Sequence, residues 1–544
     1  VKAAVHLGSL AEQVVRLPTT AREAVVVVRS GMMPLTRPDK SARGLLALRR
    51  YGILGAAIRI AADRDPGMLG LVDERGELTF GELDRRSNAL ANAWRARGLD
   101  HTSVIAALCR DHRGLIETMF ASGKLGARLL LMNTGFAGPQ FAAVCEREGA
   151  SALVYDEEFT AILGDVPATI PRYLSWADDA DAAEHETLEQ LITGAEDDLA
   201  QKPKEPGGLI LLTSGTTGTP KGAPRHVTSP FAAAQLLDRI PLQPGERTFF
   251  GAPLFHGTGL SQFLITLALG STTLVRRRFD PLATLQALAE YRVEELVVVP
   301  TMLQRILNLG DDVIRGYDTS ALRIIFCAGS ALPPEIGSRA MELFGDVVYN
   351  LYGSTEVAVA TVATPADWKQ APGTVGRAPV GCTVRLYDDA GRRITRPDTV
   401  GRVFVGSGLK FGGYTGGGSK EEIGGLLSSG DVGHFDANGL WFIDGRDDDM
   451  IVSGGENVYP VEVENLLLEH PAIADAAVIG VPDAEFGQRL KAFVVRRAEL
   501  AGADVREHVR TNLARHKVPR DVEFVEELPR NATGKLLRNQ LRGA

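Results

Sequence analysis

LILLTSGTTGTPKG, residues 209–222, is the stretch on which the reading of this chain turns. The apolar run Leu209–Leu212 reads as a buried strand. Directly after it, Thr213, Ser214, Gly215, Thr216, Thr217, Gly218 and Lys221 crowd hydroxyls, glycines and a cation into one loop. Glycine permits backbone conformations that other residues avoid, so successive N–H groups can converge on an anion. The hydroxyls and the lysine add donors suited to a polyphosphate. This is not a Walker A loop, because Pro220 precedes the lysine and Gly222 follows it where that motif needs serine or threonine.

Outward from this loop, short apolar runs end in turn residues: Val104–Cys109, Leu129–Met132, Leu296–Val299, Ile324–Cys327 and Val347–Tyr349. Such runs read as buried strands of largely parallel sheets. Helical patterns lie between them. Thr79-Phe80-Gly81-Glu82 is a capping box before one helix, and Pro281–Arg292 is a second. The alternation predicts an α/β fold. From about residue 375 glycine becomes dense, and hairpin signals appear at 388–391 and 436–439, which predicts a β-rich subdomain. The polar run Gly445-Arg446-Asp447-Asp448-Asp449 reads as a linker to a compact α+β segment. The predicted organisation is a basic extension over 1–64, a large domain over 65–447 and a small mobile domain over 448–544.

The phosphate loop resembles the signature loop of the adenylate-forming superfamily, and further likenesses follow in the family's order. They are Pro253-Leu254-Phe255-His256-Gly257, Ala328-Gly329-Ser330-Ala331-Leu332, Tyr352-Gly353-Ser354-Thr355-Glu356, Ser429-Gly430-Asp431 with Gly445-Arg446, Ser453-Gly454-Gly455-Glu456-Asn457, and Leu528-Pro529-Arg530-Asn531-Ala532-Thr533-Gly534-Lys535. The likeness runs from about residue 70 to the end and is nearest to bacterial fatty-acyl-CoA synthetases.

That resemblance implies ATP, Mg²⁺ and coenzyme A, with adenylation of a fatty acid followed by transfer to the CoA thiol. It implies that Glu356 holds Mg²⁺ and that Thr355 hydrogen-bonds the α-phosphate. Tyr352 would stack on adenine opposite Gly329, Ser330 and Ala331, with Asn350 at the adenine edge. Asp431 and Arg446 would take the ribose, and His256 would stand at the acid's entrance. Lys535 would reach the α-phosphate and the carboxylate during adenylation only. Gly454 and Gly455 would flank the pantetheine channel, and Asp448 would be the pivot between the two half-reactions. Alternatives left open are an acyl-AMP ligase loading a carrier protein in trans, a synthetase for an aromatic or branched acid, and a catalytically dead nucleotide-binding scaffold. The last predicts loss of Lys535, Glu356 or Asp431, and all three are present.

Composition narrows the rest. Hydrophobic residues make up 44% of 544, enough for a large core. The net charge of −9 argues against general nucleic-acid binding. Four cysteines without a CxxC pair form no disulfide framework and suit a reducing cytoplasm. Residues 1–64 carry 11 Lys/Arg against 4 Asp/Glu, a local charge of +7 that leaves −16 on the remainder. No apolar run there approaches the ~18 residues of a membrane span, and no signal-peptide pattern is present. This segment is read either as helices packed on the body or as a basic amphipathic contact with an anionic membrane surface. A homodimer is also compatible with the sequence.

Overall fold

A computed structural model describes residues 18–33, 37–178, 185–213, 221–222, 225–227, 231–354, 356–411, 420–453, 456–483, 487–531 and 534–541. The chain divides into two compact units. One comprises residues 1–298, 316–325 and 408–419, and the other comprises 299–315, 326–407 and 420–544.

Among its described residues the first unit has two larger sheets besides short two-stranded pairs. One is five-stranded and wholly parallel, in the order Arg172–Trp176, Ala152–Asp156, Val104–Leu108, Arg128–Leu131 and Leu209–Ile210. Its strands Val104–Leu108 and Ala152–Asp156 are buried along their whole length, as strands covered on both faces are. In the other, Leu69–Asp73 pairs antiparallel with Gly76–Thr79 and parallel with Thr272–Val275, which continues parallel to Arg247–Phe250 and Glu295–Val298. The predicted capping box is present. The Thr79 side chain accepts from the Glu82 N–H at 3.2 Å, and Glu82 accepts from the Thr79 N–H at 2.7 Å, starting the helix Phe80–Ala96.

Part of the basic N-terminal segment belongs to this core. The helix Pro38–Arg64 is kinked at Gly52, where φ is +68°. Beyond the kink it buries Leu54, Ile58 and Ala61. Gly55 there meets Gly123 of the helix Arg113–Leu125 so closely that a Cβ on Gly123 would lie 2.2 Å from the Gly55 nitrogen. No helix among the described residues is long and apolar enough to cross a membrane.

The second unit contains the hairpin Val348–Ser354/Ala358–Ala363 and an antiparallel sheet built on Thr383–Tyr387, Gly401–Gly406, Leu426–Phe435 and Trp441–Arg446. It also holds the C-terminal sheet, where Ile473–Asp483 and Gly487–Arg496 form a long hairpin under the helices Pro460–Leu468 and Gly502–Asn512. The turns predicted at 388–391 and 436–439 form, closed by Gly391 N–H to Asp388 O and Gly439 N–H to Asp436 O.

Three expectations need correction. Gly445 and Arg446 are not linker: they pair with Val432 and Asp431, and only Asp447–Asp449 forms a short 3-10 turn. Cross-strand pairing overrides the polar, glycine-bearing composition there. The run Leu209–Leu212 splits. Leu209–Ile210 joins the parallel sheet, while Leu212 and Thr213 pair with Gly222 and Lys221. The helix predicted to Arg292 stops at Glu290, because Arg292 takes a positive φ of 48°.

One strand carries a buried acid. Glu295 is buried, its Oε2 accepts from the Thr248 hydroxyl at 2.9 Å, and Oε1 has no partner among the described residues. Burial, helped by neighbouring Glu246, pushes its carboxyl up to about 8. A raised acid favours the folded state while protonated, so its contribution is present below the unfolded value of roughly 4.3 and is lost as pH rises through about 8. Burial lifts Asp111 to about 7 and adds to the same slope. Thermal melting should therefore weaken from pH 5 to pH 8, and Glu295→Gln should flatten that slope and melt higher than the parent at pH 8. Parallel profiles for parent and variant would contradict the assignment.

Candidate functional site

In the first unit the structure describes only the flanks of the phosphate loop. Thr213 stands opposite Lys221 at the base of an antiparallel pair. Ser214, Gly215, Thr216, Thr217 and Gly218 lie outside the described residues, as do Thr355, Gly454 and Gly455. His256 begins the helix Gly257–Ala268, and its N–H bonds the Pro253 carbonyl at 3.1 Å. Gly259 admits no side chain, because a Cβ would lie 2.4 Å from the Pro253 oxygen.

Sequence reading missed what holds this segment. Asp111, buried just past the strand Val104–Leu108, accepts the Leu254 N–H at 3.0 Å. Beside it His112 is fully buried. Its Nδ1 accepts the Gly114 N–H at 3.0 Å, so Nε2 carries the proton donated to Asp156 at 2.8 Å. Asp156 also accepts the Arg110 N–H at 2.8 Å. The only sequence signal was the charged cluster Arg110-Asp111-His112-Arg113 at the carboxyl end of a buried parallel strand, where α/β sheets place their sites.

The second unit brings together seven of the predicted residues or their neighbours: Asn350, Tyr352, Ser354, Glu356, Asp431, Arg446 and Lys535. Tyr352 and Asp431 come from different strands. The Tyr352 hydroxyl donates to Asp431 Oδ2 at 2.6 Å, and Arg446 Nη1 donates to Oδ1 at 3.3 Å. Burial pushes the Asp431 carboxyl up, against the pull of Arg446, the hydroxyls of Tyr352 and Ser429, and the charge of Lys535. Burial, with Asp431 beside it, pushes the Tyr352 hydroxyl far up, so it stays a donor. An ionised carboxylate has about four acceptor sites, so Tyr352 and Arg446 do not exhaust its capacity for a diol. Asn350 is buried and donates to the Thr374 carbonyl at 3.2 Å. The Ser354 hydroxyl organises the next turn: it donates to Glu356 Oε2 at 3.0 Å and accepts the N–H groups of Glu356 and Val357. Gly329 follows the strand Ile324–Cys327 with φ of +98°, a conformation that suits glycine, and Ser330 and Ala331 continue from it.

Lys535 sits in a braced loop. Its N–H bonds Asn531 Oδ1 at 2.9 Å, its carbonyl accepts the Asn531 N–H at 2.9 Å, and Arg530 clamps both the Gly534 carbonyl and Asp475. Gly534, at φ of +74°, rests on Thr301, whose Oγ1 would lie 2.1 Å from an added Cβ. Asp448 has an anchored neighbour on each side: Asp447 pairs with Arg402 at 3.4 Å, and Asp449 pairs with Arg538 at 3.4 Å. Among the described residues no group of three or more His, Cys, Asp or Glu could hold a metal ion. Magnesium held by one carboxylate and substrate phosphates needs no such group.

Comparison with known proteins places these residues in context. A family model described as AMP-binding enzyme matches residues 58–415, and one described as AMP-binding enzyme C-terminal domain matches residues 462–535. The indoleacetate–CoA ligase of Aromatoleum aromaticum is 32% identical over 492 residues, covering 88% of this chain and 96% of that protein. A feruloyl-CoA synthase of Amycolatopsis sp. is 34% identical over 477 residues, covering 86% and 93%. The structure of an o-succinylbenzoate CoA synthetase from Bacillus subtilis, in complex with its acyl-adenylate intermediate, superposes with a TM-score of 0.77 at 26% identity, covering 90% of this chain and 98% of that one.

Gly353 shows how tightly the tyrosine is placed. A Cβ there would lie 1.9 Å from the Ala358 carbonyl oxygen across the hairpin, and backbone cannot yield as a side chain does. Gly353→Ala should lower the unfolding free energy by ~1–3 kcal/mol or more in a denaturant titration. An unchanged midpoint would show that the hairpin tolerates the methyl group.

Proposed function

The chain belongs to the family of AMP-binding enzymes and is an ATP-dependent acid–CoA ligase that works through an acyl-adenylate; from that premise we propose that its acid is aromatic or arylalkyl rather than a long-chain fatty acid. The adenylating role rests above all on the cluster Tyr352–Asp431–Arg446 within the field of Lys535. The choice of acid rests on the relatives, whose printed names specify indoleacetate, ferulate and succinylbenzoate. The fatty-acid expectation drawn from sequence likeness has less support.

The mechanism has two steps. A carboxylate oxygen attacks the α-phosphorus of ATP, the bond to the bridging oxygen breaks, and pyrophosphate leaves. The CoA thiol then attacks the acyl carbonyl, and AMP leaves with the electron pair. Both partners of the first step are anionic, so charge compensation dominates it. Lys535 supplies the positive charge, and Thr213 and Lys221 at the loop base serve the phosphates. Glu356, with Oε2 held by Ser354, is the residue to hold Mg²⁺, which offsets phosphate charge when bound. Asp431 takes both ribose hydroxyls on its remaining lone pairs, and Arg446 opposes the upward push of burial on its carboxyl. The partly exposed Tyr352 ring offers a face to adenine, with Gly329, Ser330 and Ala331 opposite. Asn350 has one amide hydrogen left for the adenine edge. His256 serves the acid. Gly454 and Gly455 serve the thiol, and Asp448 is the pivot between the anchored Asp447 and Asp449.

Two experiments test this. In a panel with ATP and CoA, arylacetates and cinnamates should exceed dodecanoate and hexadecanoate in kcat/KM by about tenfold or more, the scale on which apolar pockets discriminate. A maximum at the long alkanoates would restore the fatty-acid reading, and thioester formation only on a carrier protein would replace CoA. Second, Lys535→Ala should slow adenylation by roughly 10²–10³, as loss of a transition-state charge donor does, yet leave thioester formation from preformed acyl-adenylate near the parental rate. Gly534→Ala, which displaces the loop from Thr301, should share that pattern more mildly. Equal loss of both half-reactions in a folded Lys535 variant would contradict its role.

A further inference from the structure

The N-terminal half of the helix Pro38–Arg64 presents an apolar face that the first unit does not cover. Leu45, Leu46 and Ile53 are 54%, 64% and 49% exposed, and Leu48 is exposed as well. At 100° per residue, Leu45, Arg49 and Leu46 fall within about one quadrant of the segment before the Gly52 kink, opposite the buried Ala47 and Tyr51. Arg49 lies in the middle of this face with no ion pair among the described residues, and Arg43 stands at its edge, paired only with exposed Asp39. The face is also firmly mounted. Tyr51 donates its hydroxyl, and Arg50 a guanidinium hydrogen, to the Ala200 carbonyl at 2.7 and 3.2 Å. Leu199, next to that carbonyl, is itself 48% exposed.

Three exposed leucines within four positions, with exposed Ile53 just past the kink, are unlike the scattered exposed hydrophobics of an ordinary surface. Charge indicates what meets them. Residues 1–64 carry +7 on a protein whose remainder carries −16, so this segment is the part of the chain that an anionic surface attracts. Leucine beside arginine is the composition of an interfacial helix, in which apolar side chains enter the acyl boundary while guanidinium groups stay at the headgroups. We propose that this surface, Leu45, Leu46, Leu48 and Arg49 with Ile53 just past the kink, docks the enzyme on an anionic lipid surface. Neither signal is strong alone, so the binding is reversible and depends on salt.

The test uses the full chain and extruded vesicles of either phosphatidylcholine alone or an equal mixture with phosphatidylglycerol. The parent should co-sediment with the mixed vesicles, weakly with phosphatidylcholine, and less as salt rises. Leu45→Ser/Leu46→Ser, and separately Arg49→Glu, should weaken binding to mixed vesicles by about tenfold. Melting temperature and turnover of a water-soluble aromatic acid should not change, because these side chains are exposed and lie outside the catalytic residues. The proposal is overturned if the parent ignores mixed vesicles, or if the variants bind like the parent. It is also overturned if the serine variant changes oligomeric state by light scattering, which would assign the face to a second copy. A several-degree drop in its melting temperature would likewise assign the leucines to the chain's own fold.

Discussion

A carboxylate taken out of water must be compensated where it lies, and Asp431 is the group whose compensation ties this molecule together. It is 8% exposed. Its partners come from three places in the chain: Tyr352 from one hairpin, Arg446 from the strand beside its own, and the field of Lys535 from the C-terminal loop. Removing one partner of such a group leaves an under-compensated charge, which is far more costly than the partnership is stabilising. The antiparallel register Asp431↔Arg446 and the bulge at Tyr352–Gly353 are therefore features of the site as much as of the sheets. In a nucleotide enzyme the same arrangement has a use, since a buried carboxylate with lone pairs beyond those its partners occupy suits a diol.

Much of this was legible in the sequence where the determinants are local. The capping box at Thr79 and the turns at 388–391 and 436–439 depend on residues within four positions of one another, and they form as read. The cluster at Tyr352, Asp431 and Lys535 became legible only through the resemblance, because their spacing carries no periodic signal. Asp111 and Leu254 are 143 positions apart, and His112 and Asp156 are 44 apart, so no local pattern announces those bonds. Gly445-Arg446 misled because composition argued for a linker while the partner strand, 13 and 15 positions earlier, decided otherwise. The identity of the acid was the least legible feature. Its determinants are spread over many segments, and motifs shared across a superfamily describe the common chemistry, not the variable pocket.

The C-terminal region is braced around the two residues to which the proposed mechanism gives opposite tasks, Lys535 and Asp448. Arg530, Asp475 and Asn531 brace the lysine loop, so Lys535 is delivered by a fixed frame rather than by a flexible tail. Asp447 and Asp449 are each held by an arginine from a different part of the second unit, which agrees with the proposal that Asp448 between them is the pivot. Two steps with opposite needs, first a cation pressed on phosphate and then room for a thiol, call for this combination.

The central claim is that the acid's own carboxylate becomes the bridge to AMP. Supplying the enzyme with ATP, CoA and an acid labelled with oxygen-18 at both carboxylate positions tests it directly. Mass spectrometry should find one labelled oxygen in the AMP and the other in the thioester carbonyl. Unlabelled AMP, or label in released phosphate, would contradict the account.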